Sequence, residues 1–187
     1  MPARSTLPVC VENGAVRARP VPRAVLPGSF NPLHHGHTGL ARVAAARLGL
    51  EVHFELAVVN ADKPELPRAE VERRVTQFAG VGPVWVTRAP TFVAKAELFP
   101  GVAFVLGWDT AVRVVDPKYY GGEGERDAAL RVLLDRRCTF VVGGRVDAGG
   151  AFRVWDSTAL PAFAGLFVPL TEEDFRVDVS STELRGR

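Results

Sequence analysis

Residues 24–37 read AVLPGSFNPLHHGH, and this stretch decides the fold. A short apolar run at 24–26 leads into a Gly-Ser loop. Beyond the loop, apolar residues recur between positions 40 and 48 at the spacing of a helix with one buried face. We therefore expect a strand, a tight loop and the first turn of a helix. That geometry points backbone N–H groups and the positive end of the helix dipole at an anion.

Three of the four histidines of the chain stand within residues 34–37. His34 and His37 are three positions apart, so on a helix they share a face and can both donate hydrogen bonds to one phosphate chain. A bound anion would raise the pKa of such an imidazole. An isolated histidine is more often solvated or binds adventitious metal, but the position directly after a strand and a Gly-Ser loop favours a functional role. Gly28 would let the backbone come close to a bound group.

A second polar cluster lies near the other end of the chain, where residues 179–185 read VSSTELR. Its hydroxyls can cap a helix and present donors to phosphates. Arg185 follows Thr182 by three residues and can reach the same anion with its planar guanidinium. A Ser/Thr residue followed by Glu is also an ordinary helix cap, so this cluster alone leaves both interpretations open.

The two stretches together resemble the signatures of the HxGH nucleotidyltransferases, and most of all the nicotinate and nicotinamide mononucleotide adenylyltransferases. The first signature corresponds to GSFNPLHHGH at 28–37, and the second, ISSTxxR, corresponds to residues 179–185. The resemblance implies that the catalytic residues are His34, His37 and Arg185. It also implies that the nucleotide and its phosphates are bound by Gly28, Ser29, Phe30, Ser180, Ser181 and Thr182.

Weaker candidates follow other predicted strands. Gly107 and Asp109 resemble the Gly-x-Asp of these adenylyltransferases near the nucleotide sugar, although Asp109 could equally be a helix N-cap. Trp108 could stack on a base or simply contribute to the core, and Lys63 could bind an acceptor phosphate. Further candidates for the acceptor pocket are Lys95, Arg113, Lys118, Tyr119 and Tyr120. By contrast, the arginines at 68, 73 and 74 alternate with glutamates and suggest a solvated helix face.

The composition predicts an ordinary soluble domain. The chain has 187 residues, 47% hydrophobic and 24% charged, with a net charge of +2. We expect no strong attraction to nucleic acid, no membrane span and no secretory signal. The two cysteines give neither a disulfide framework nor a CxxC motif, so we expect reduced thiols and a cytoplasmic location. Oligomeric state stays open, including a homo-oligomer.

Strands and helices alternate along most of the chain. The pattern predicts an α/β fold with a Rossmann-like, doubly wound parallel sheet in one domain over 23–187, and a small C-terminal hairpin. A flexible, Pro/Arg-rich arm without fold elements is expected over 1–22. The expected strands cover about 23–28, 51–59, 84–86, 102–106, 139–142 and 166–168. The hairpin would join 141–146 to 152–155 through a turn at 147–150.

The resemblance implies transfer of a nucleotidyl group from a nucleoside triphosphate to a phosphate-bearing acceptor, with release of pyrophosphate. ATP is the expected donor and CTP the alternative. Nicotinate or nicotinamide mononucleotide is the expected acceptor, and another phosphorylated acceptor is the alternative. Mg²⁺ or Mn²⁺ is expected to enter with the substrate phosphates rather than through protein ligands. A nucleotide-binding module without catalysis is the alternative of a different class.

Overall fold

The computed structural model describes residues 8–59, 64–147 and 149–174. Its strands are β1 Val9–Glu12, β2 Ala15–Arg17, β3 Ala24–Pro27, β4 Val52–Ala57, β5 Val84–Thr87, β6 Ala103–Gly107, β7 Thr139–Gly143, β8 Arg145–Val146, β9 Phe152–Arg153 and β10 Phe167–Pro169. Its α-helices are α1 His35–Leu48, α2 Arg68–Thr76, α3 Phe92–Leu98, α4 Trp108–Val115 and α5 Glu123–Asp135. Short 3₁₀ turns occur at Pro117–Tyr119 and Pro161–Leu166.

A central sheet of eight strands organises the molecule, in the order β10-β7-β6-β3-β4-β5-β1-β2. The six strands from β10 to β5 run parallel to one another. From β3 the chain crosses over to β4 and then to β5, which lie on one side of β3 in the sheet. It then crosses to β6, β7 and β10, which lie on the other side of β3. The order reverses between β3 and β6, which is the position where ligands bind in open α/β sheets. The predicted doubly wound parallel sheet is confirmed.

Helices cover both faces of the sheet, because successive side chains of a buried parallel strand point to opposite sides. Leu26 and Val105 face the layer that contains α1 and α2. Val25 and Phe104 face the layer that contains α3, α4 and α5. Both layers are packed mainly with apolar side chains, so we expect the site where the strands end. Within the described part of the chain, no helix is long and apolar enough to cross a membrane.

The expectation that residues 1–22 carry no fold element is wrong for residues 9–17. Strands β1 and β2 form an antiparallel hairpin, and β1 also pairs antiparallel with β5. The turn is Asn13-Gly14, and both residues have positive φ. Asn-Gly is the preferred sequence of a type I′ turn, which requires positive φ at both central positions. Cys10 is buried on β1 and contributes to the core.

The expected C-terminal hairpin is confirmed in a shorter form, in which β8 pairs antiparallel with β9. Asp147 holds its turn, since one carboxylate oxygen accepts hydrogen bonds from the N–H groups of Gly149 (2.9 Å) and Ala151 (3.0 Å). Such side-chain bonds to nearby backbone are typical of Asp in turns. The hairpin follows β7, whose carboxyl end lies beside that of β6.

Candidate active site

The loop that follows β3 begins at the point where the strand order reverses. β3 lies between β4 and β6, and its last residues pair in register with β4 up to Pro27 and Glu55. The chain then passes through Gly28 and Ser29 and enters α1 at His35. The predicted strand, loop and helix are therefore confirmed, and α1 ends at Gly49 in the left-handed conformation (φ 64°).

The two motif histidines cap the helix reciprocally. His34 is the N-cap residue of α1, and its Nδ1 accepts a hydrogen bond from the N–H of Gly36 (3.1 Å). His37 is the third residue of α1, and its Nδ1 accepts a hydrogen bond from the N–H of His34 (3.3 Å). The rings stack with centroids 3.8 Å apart. This is the logic of a capping box, built here from two imidazoles instead of Ser/Thr and Glu.

These bonds fix the tautomer of both rings. An imidazole nitrogen that accepts a hydrogen bond carries no proton, so each neutral ring carries its proton on Nε2. Burial lowers the pKa of His37 from 6.5 to about 4, with a smaller contribution from His34. Burial also lowers the pKa of His34, with His35 adding to the effect. Both rings are therefore neutral at neutral pH, and each carries its proton on Nε2.

The side chain of Phe30 fixes the loop to the core. Its side chain is fully buried, with its ring centroid 5.1 Å from that of His37 and 5.0 Å from that of Phe78. Phe30 has φ 45°, a conformation that is uncommon for a residue with a side chain. A Cβ atom at Gly28 would lie 2.8 Å from the Phe30 ring, so glycine is required there by packing. Phe30 can thus contribute to a ligand site through its backbone.

Side chains of α2 and of the residue that follows it form hydrogen bonds with the loop. Nη1 of Arg74 donates to the carbonyl oxygen of Ser29 (2.8 Å). Gln77, which follows α2, donates to the carbonyl of Phe30 (3.0 Å) and accepts from the N–H of Leu33 (2.9 Å). The prediction that Arg74 lies on a solvated helix face is therefore wrong, because the Arg74 side chain is buried against the loop. Gln77 was not predictable from the sequence, since one amide after a charged helix carries no local signal.

A cavity of about 320 Å³ opens beside the loop. Gly28 and Ser29 form one side of it, and apolar side chains from the β4–α2 connection and from α3 form another: Val58, Val59, Leu66 and Phe92. Two predicted acceptor-pocket residues, Lys95 and Arg113, also line the cavity. Lys118 instead pairs with Asp116 (2.6 Å), and the hydroxyl of Tyr120 donates to the carbonyl of Val114 (2.8 Å).

A buried ion pair closes one wall of the cavity. Nζ of Lys95 lies 2.7 and 2.8 Å from the two carboxylate oxygens of Glu55, which is fully buried on β4. The hydroxyl of Thr87 donates to the same carboxylate. Glu55 was not among the predicted site residues, although a carboxylate within a largely apolar strand indicates a buried partner.

The Gly-x-Asp segment lies at the carboxyl end of β6. Gly107 is the N-cap residue of α4, so the alternative of Asp109 as N-cap is wrong. Asp109 lies in the first helical turn, where its exposed carboxylate accepts a hydrogen bond from Arg145 (2.6 Å). Trp108 contacts Trp155 edge to face, with ring centroids 5.4 Å apart, and contributes to the core. It does not line the cavity described above.

Five of the predicted site residues lie outside the described part of the chain: Lys63, Ser180, Ser181, Thr182 and Arg185. Their roles stay predictions. Within residues 8–59, 64–147 and 149–174, no group of three or more His, Cys, Asp or Glu side chains could hold a metal ion.

A family model described as cytidylyltransferase-like matches residues 25–187. The chain belongs to the cytidylyltransferase-like family. The match begins within β3 and covers the loop, the histidine pair and the C-terminal cluster. The match therefore includes the strands and helices that build the candidate site.

The chain is also similar to a protein of Gloeobacter violaceus that is named as a probable nicotinate-nucleotide adenylyltransferase. The two are 28% identical over 172 residues, which cover 84% of this chain and 79% of the relative. Family and relative together support a nucleotidyltransferase, and the protein is an enzyme of this kind.

Gln77→Leu tests the contact between α2 and the loop. The substitution leaves the N–H of Leu33 and the carbonyl of Phe30 without their partner, so the loop loses its position. We expect kcat for nucleotidyl transfer to fall by about one to two orders of magnitude, because small displacements of positioning groups cost that much. Arg68→Gln on the exposed side of α2 is the matched control and should leave kcat unchanged. Equal rates in both variants would contradict the contribution of Gln77.

His37→Gln tests the low pKa of the capping imidazole. Glutamine can serve in a capping box but does not titrate. Between pH 6.5 and about 4 the unfolded wild-type chain binds a proton at His37 that the folded protein does not bind. The free energy of unfolding should therefore decrease as the pH falls through this window, by about 2 kcal/mol more in the wild type than in the variant.

Urea unfolding at a series of pH values measures this difference. Arg42→Gln, at an exposed position of the same helix, is the control and should follow the wild-type curve. Parallel curves for the wild type and His37→Gln would show that His37 titrates normally.

Proposed function

We propose that the protein transfers an adenylyl group from ATP to the phosphate of a mononucleotide acceptor such as nicotinate or nicotinamide mononucleotide, with release of pyrophosphate. One observation carries the proposal: two imidazole donors at a helix N-terminus stand at the switch point of the sheet, next to a cavity that adjoins the same loop. This arrangement supports a triphosphate and an acceptor that meet at the loop of Gly28 and Ser29. The family and the named relative support the same reaction class.

The reaction needs positioning more than acid–base chemistry. An oxygen of the acceptor phosphate attacks the α-phosphorus of ATP, and the bond from that phosphorus to the bridging oxygen of pyrophosphate breaks in line. The attacking oxygen is already anionic, so no general base is required. Catalysis then depends on alignment and on donors aimed at the developing charge.

The histidines suit this task as neutral donors. Their Nδ1 atoms are used by the helix cap, so the Nε2–H groups are held in a fixed direction without a cost of reorganisation during the reaction. Binding of the triphosphate would raise the pKa of both rings and strengthen these hydrogen bonds. The N–H of Gly28 already donates to the carbonyl of Glu55 (3.0 Å), so the loop would hold the α-phosphate through the backbone of Ser29 and Phe30.

The remaining roles come from the resemblance. Ser180, Ser181, Thr182 and Arg185 would hold the β- and γ-phosphates. Asp109 would accept hydrogen bonds from the ribose hydroxyls, in place of its ion pair with Arg145. Mg²⁺ or Mn²⁺ would enter as part of the nucleotide substrate. Lys63 and Trp108 stay proposals for acceptor binding.

Pyrophosphate release tests the proposal. ATP and CTP are each combined, with Mg²⁺, with nicotinate mononucleotide, nicotinamide mononucleotide, phosphopantetheine and glycerol phosphate. We expect release with ATP and a pyridine mononucleotide. His37→Ala should lower kcat/KM by about two to three orders of magnitude, because it removes a donor to the reacting phosphates. His35→Ala is the control and should retain the wild-type rate.

Other outcomes would contradict parts of the proposal. Release with CTP alone would show that the donor is CTP and that the transferred group is a cytidylyl group. Tight binding of ATP without release across the acceptors would favour a nucleotide-binding module. A near-normal rate in His37→Ala would contradict the role of the histidine pair.

A further inference from the structure

The carboxylate of Glu70 is shared by two arginines of α2. Arg73 donates to both of its oxygens (2.8 and 2.7 Å), and Nε of Arg74 donates to one of them (2.7 Å). Arg73 also donates to the side-chain oxygen of Asn31 (2.6 Å). The hydrogen bonds from Arg73 and then Arg74 lower the pKa of Glu70 to about 2, so the carboxylate is charged at neutral pH. One negative charge thus faces two positive charges, and the group keeps a positive charge.

Arg74 carries donors that these contacts do not use. A guanidinium has five N–H groups. In Arg74, Nε donates to Glu70 and Nη1 donates to the carbonyl oxygen of Ser29 (2.8 Å). Nη2 donates to no residue in the part of the chain that the structure describes. The N–H groups of Nη2 are therefore available to a ligand.

These donors can be reached from the cavity. The Arg74 side chain is only 10% exposed, and it lines the cavity together with Ser29 and Asn31. Among the described residues, the buried side-chain nitrogen that lacks a hydrogen-bond partner is the indole nitrogen of Trp155. Nη2 of Arg74 is thus unpaired without being sealed inside the protein. Because the rest of the side chain is covered, its open part faces the cavity.

The guanidinium of Arg74 lies where the loop and the cavity meet. Nη1 holds the carbonyl of Ser29, and under the proposed function the backbone of Ser29 and Phe30 holds the α-phosphate. An anion bound by Nη2 would lie beside that phosphate, on the side of the cavity. Two phosphates that approach each other repel, and a fixed cation next to both offsets the repulsion where the new bond forms. Guanidinium N–H groups also match phosphate oxygens in geometry.

We propose that Arg74 binds the phosphate of the acceptor through Nη2 while its Nη1 holds the loop at Ser29. The arginine thereby aligns the attacking phosphate with the loop that holds the α-phosphate. The assignment rests on the proposed function, which makes the acceptor a phosphate monoester. Glu70 does not line the cavity and acts through Arg74, so it is a positioning residue.

Calorimetry with matched ligands isolates the contribution of the phosphate. Nicotinate and nicotinamide mononucleotide are each compared with the riboside that lacks the phosphate. The titrations contain Mg²⁺ and an ATP analogue with a methylene group between the α- and β-phosphorus atoms. Arg74→Gln removes the cation. We expect it to weaken mononucleotide binding by about tenfold or more and riboside binding by less than about twofold, because a hydrogen bond between charged groups contributes that much.

Three controls separate direct binding from other effects. Arg68→Gln removes an equal charge at an exposed position of α2 and should leave both affinities unchanged. Gln77→Leu disturbs the loop but keeps the cation, so it should not weaken the mononucleotide selectively. The ATP analogue alone should bind equally to Arg74→Gln and to the wild type. A loss confined to the analogue would assign Arg74 to the α-phosphate and overturn the proposal.

Glu70→Gln tests the same charge from the opposite direction. Glutamine keeps an oxygen that can accept from Arg74 but removes the negative charge that Arg74 shares with Arg73. We expect the mononucleotide to bind about two- to threefold more tightly and the riboside affinity to stay the same. Unchanged or weaker binding of the mononucleotide would contradict the proposal. Glu70 lies outside the core, so this variant decides the question if Arg74→Gln does not fold.

The outcomes distinguish this inference from the proposed function. Equal losses of mononucleotide and riboside affinity in Arg74→Gln would overturn the inference, because the arginine would then act only through the loop. Failure of both mononucleotides to bind the wild-type protein would also overturn it. A selective loss of mononucleotide binding, in a protein that releases no pyrophosphate from ATP, would instead overturn the proposed function.

Discussion

The reciprocal hydrogen bonds between His34 and His37 are the interaction on which the candidate site depends. Each Nδ1 accepts a backbone N–H at the start of α1, so the same two side chains begin the helix and orient its donors. Because both Nδ1 atoms accept a backbone N–H, each neutral ring carries its proton on Nε2. Burial keeps both rings neutral, which lets two imidazoles stack without mutual repulsion. Under the proposed function, the bonds that stabilise the start of α1 also orient the two rings toward a phosphate.

The loop before this helix is fixed from two directions. Phe30 fills the core beneath it, and Arg74 and Gln77 hold its backbone from α2. The backbone of the loop is thereby preorganised, as stabilisation of developing charge requires. Arg74 also forms part of the cavity wall, so the loop of Gly28 and Ser29 and the cavity share a common support.

Local patterns predicted the parts of the site that follow each other in the chain. The strand, loop and helix around Gly28 and His37 were predictable because their spacing reflects one strand and one helical turn. The contacts of Arg74 and Gln77 with the loop were not, because they join residues more than forty positions apart. The hairpin at Asn13-Gly14 had a local signal that the proline-rich surroundings obscured.

The protonation state of the two histidines tests the central claim most directly. Nitrogen-15 NMR of the ring nitrogens, assigned with His37→Gln, reports which nitrogen carries the proton. At neutral pH in the ligand-free protein, the account predicts an unprotonated Nδ1 and a protonated Nε2 for His34 and His37. Added ATP should then shift the Nε2–H resonances of both rings. Rings protonated on Nδ1, or Nε2–H signals that do not respond to ATP, would contradict a site built on neutral capping imidazoles.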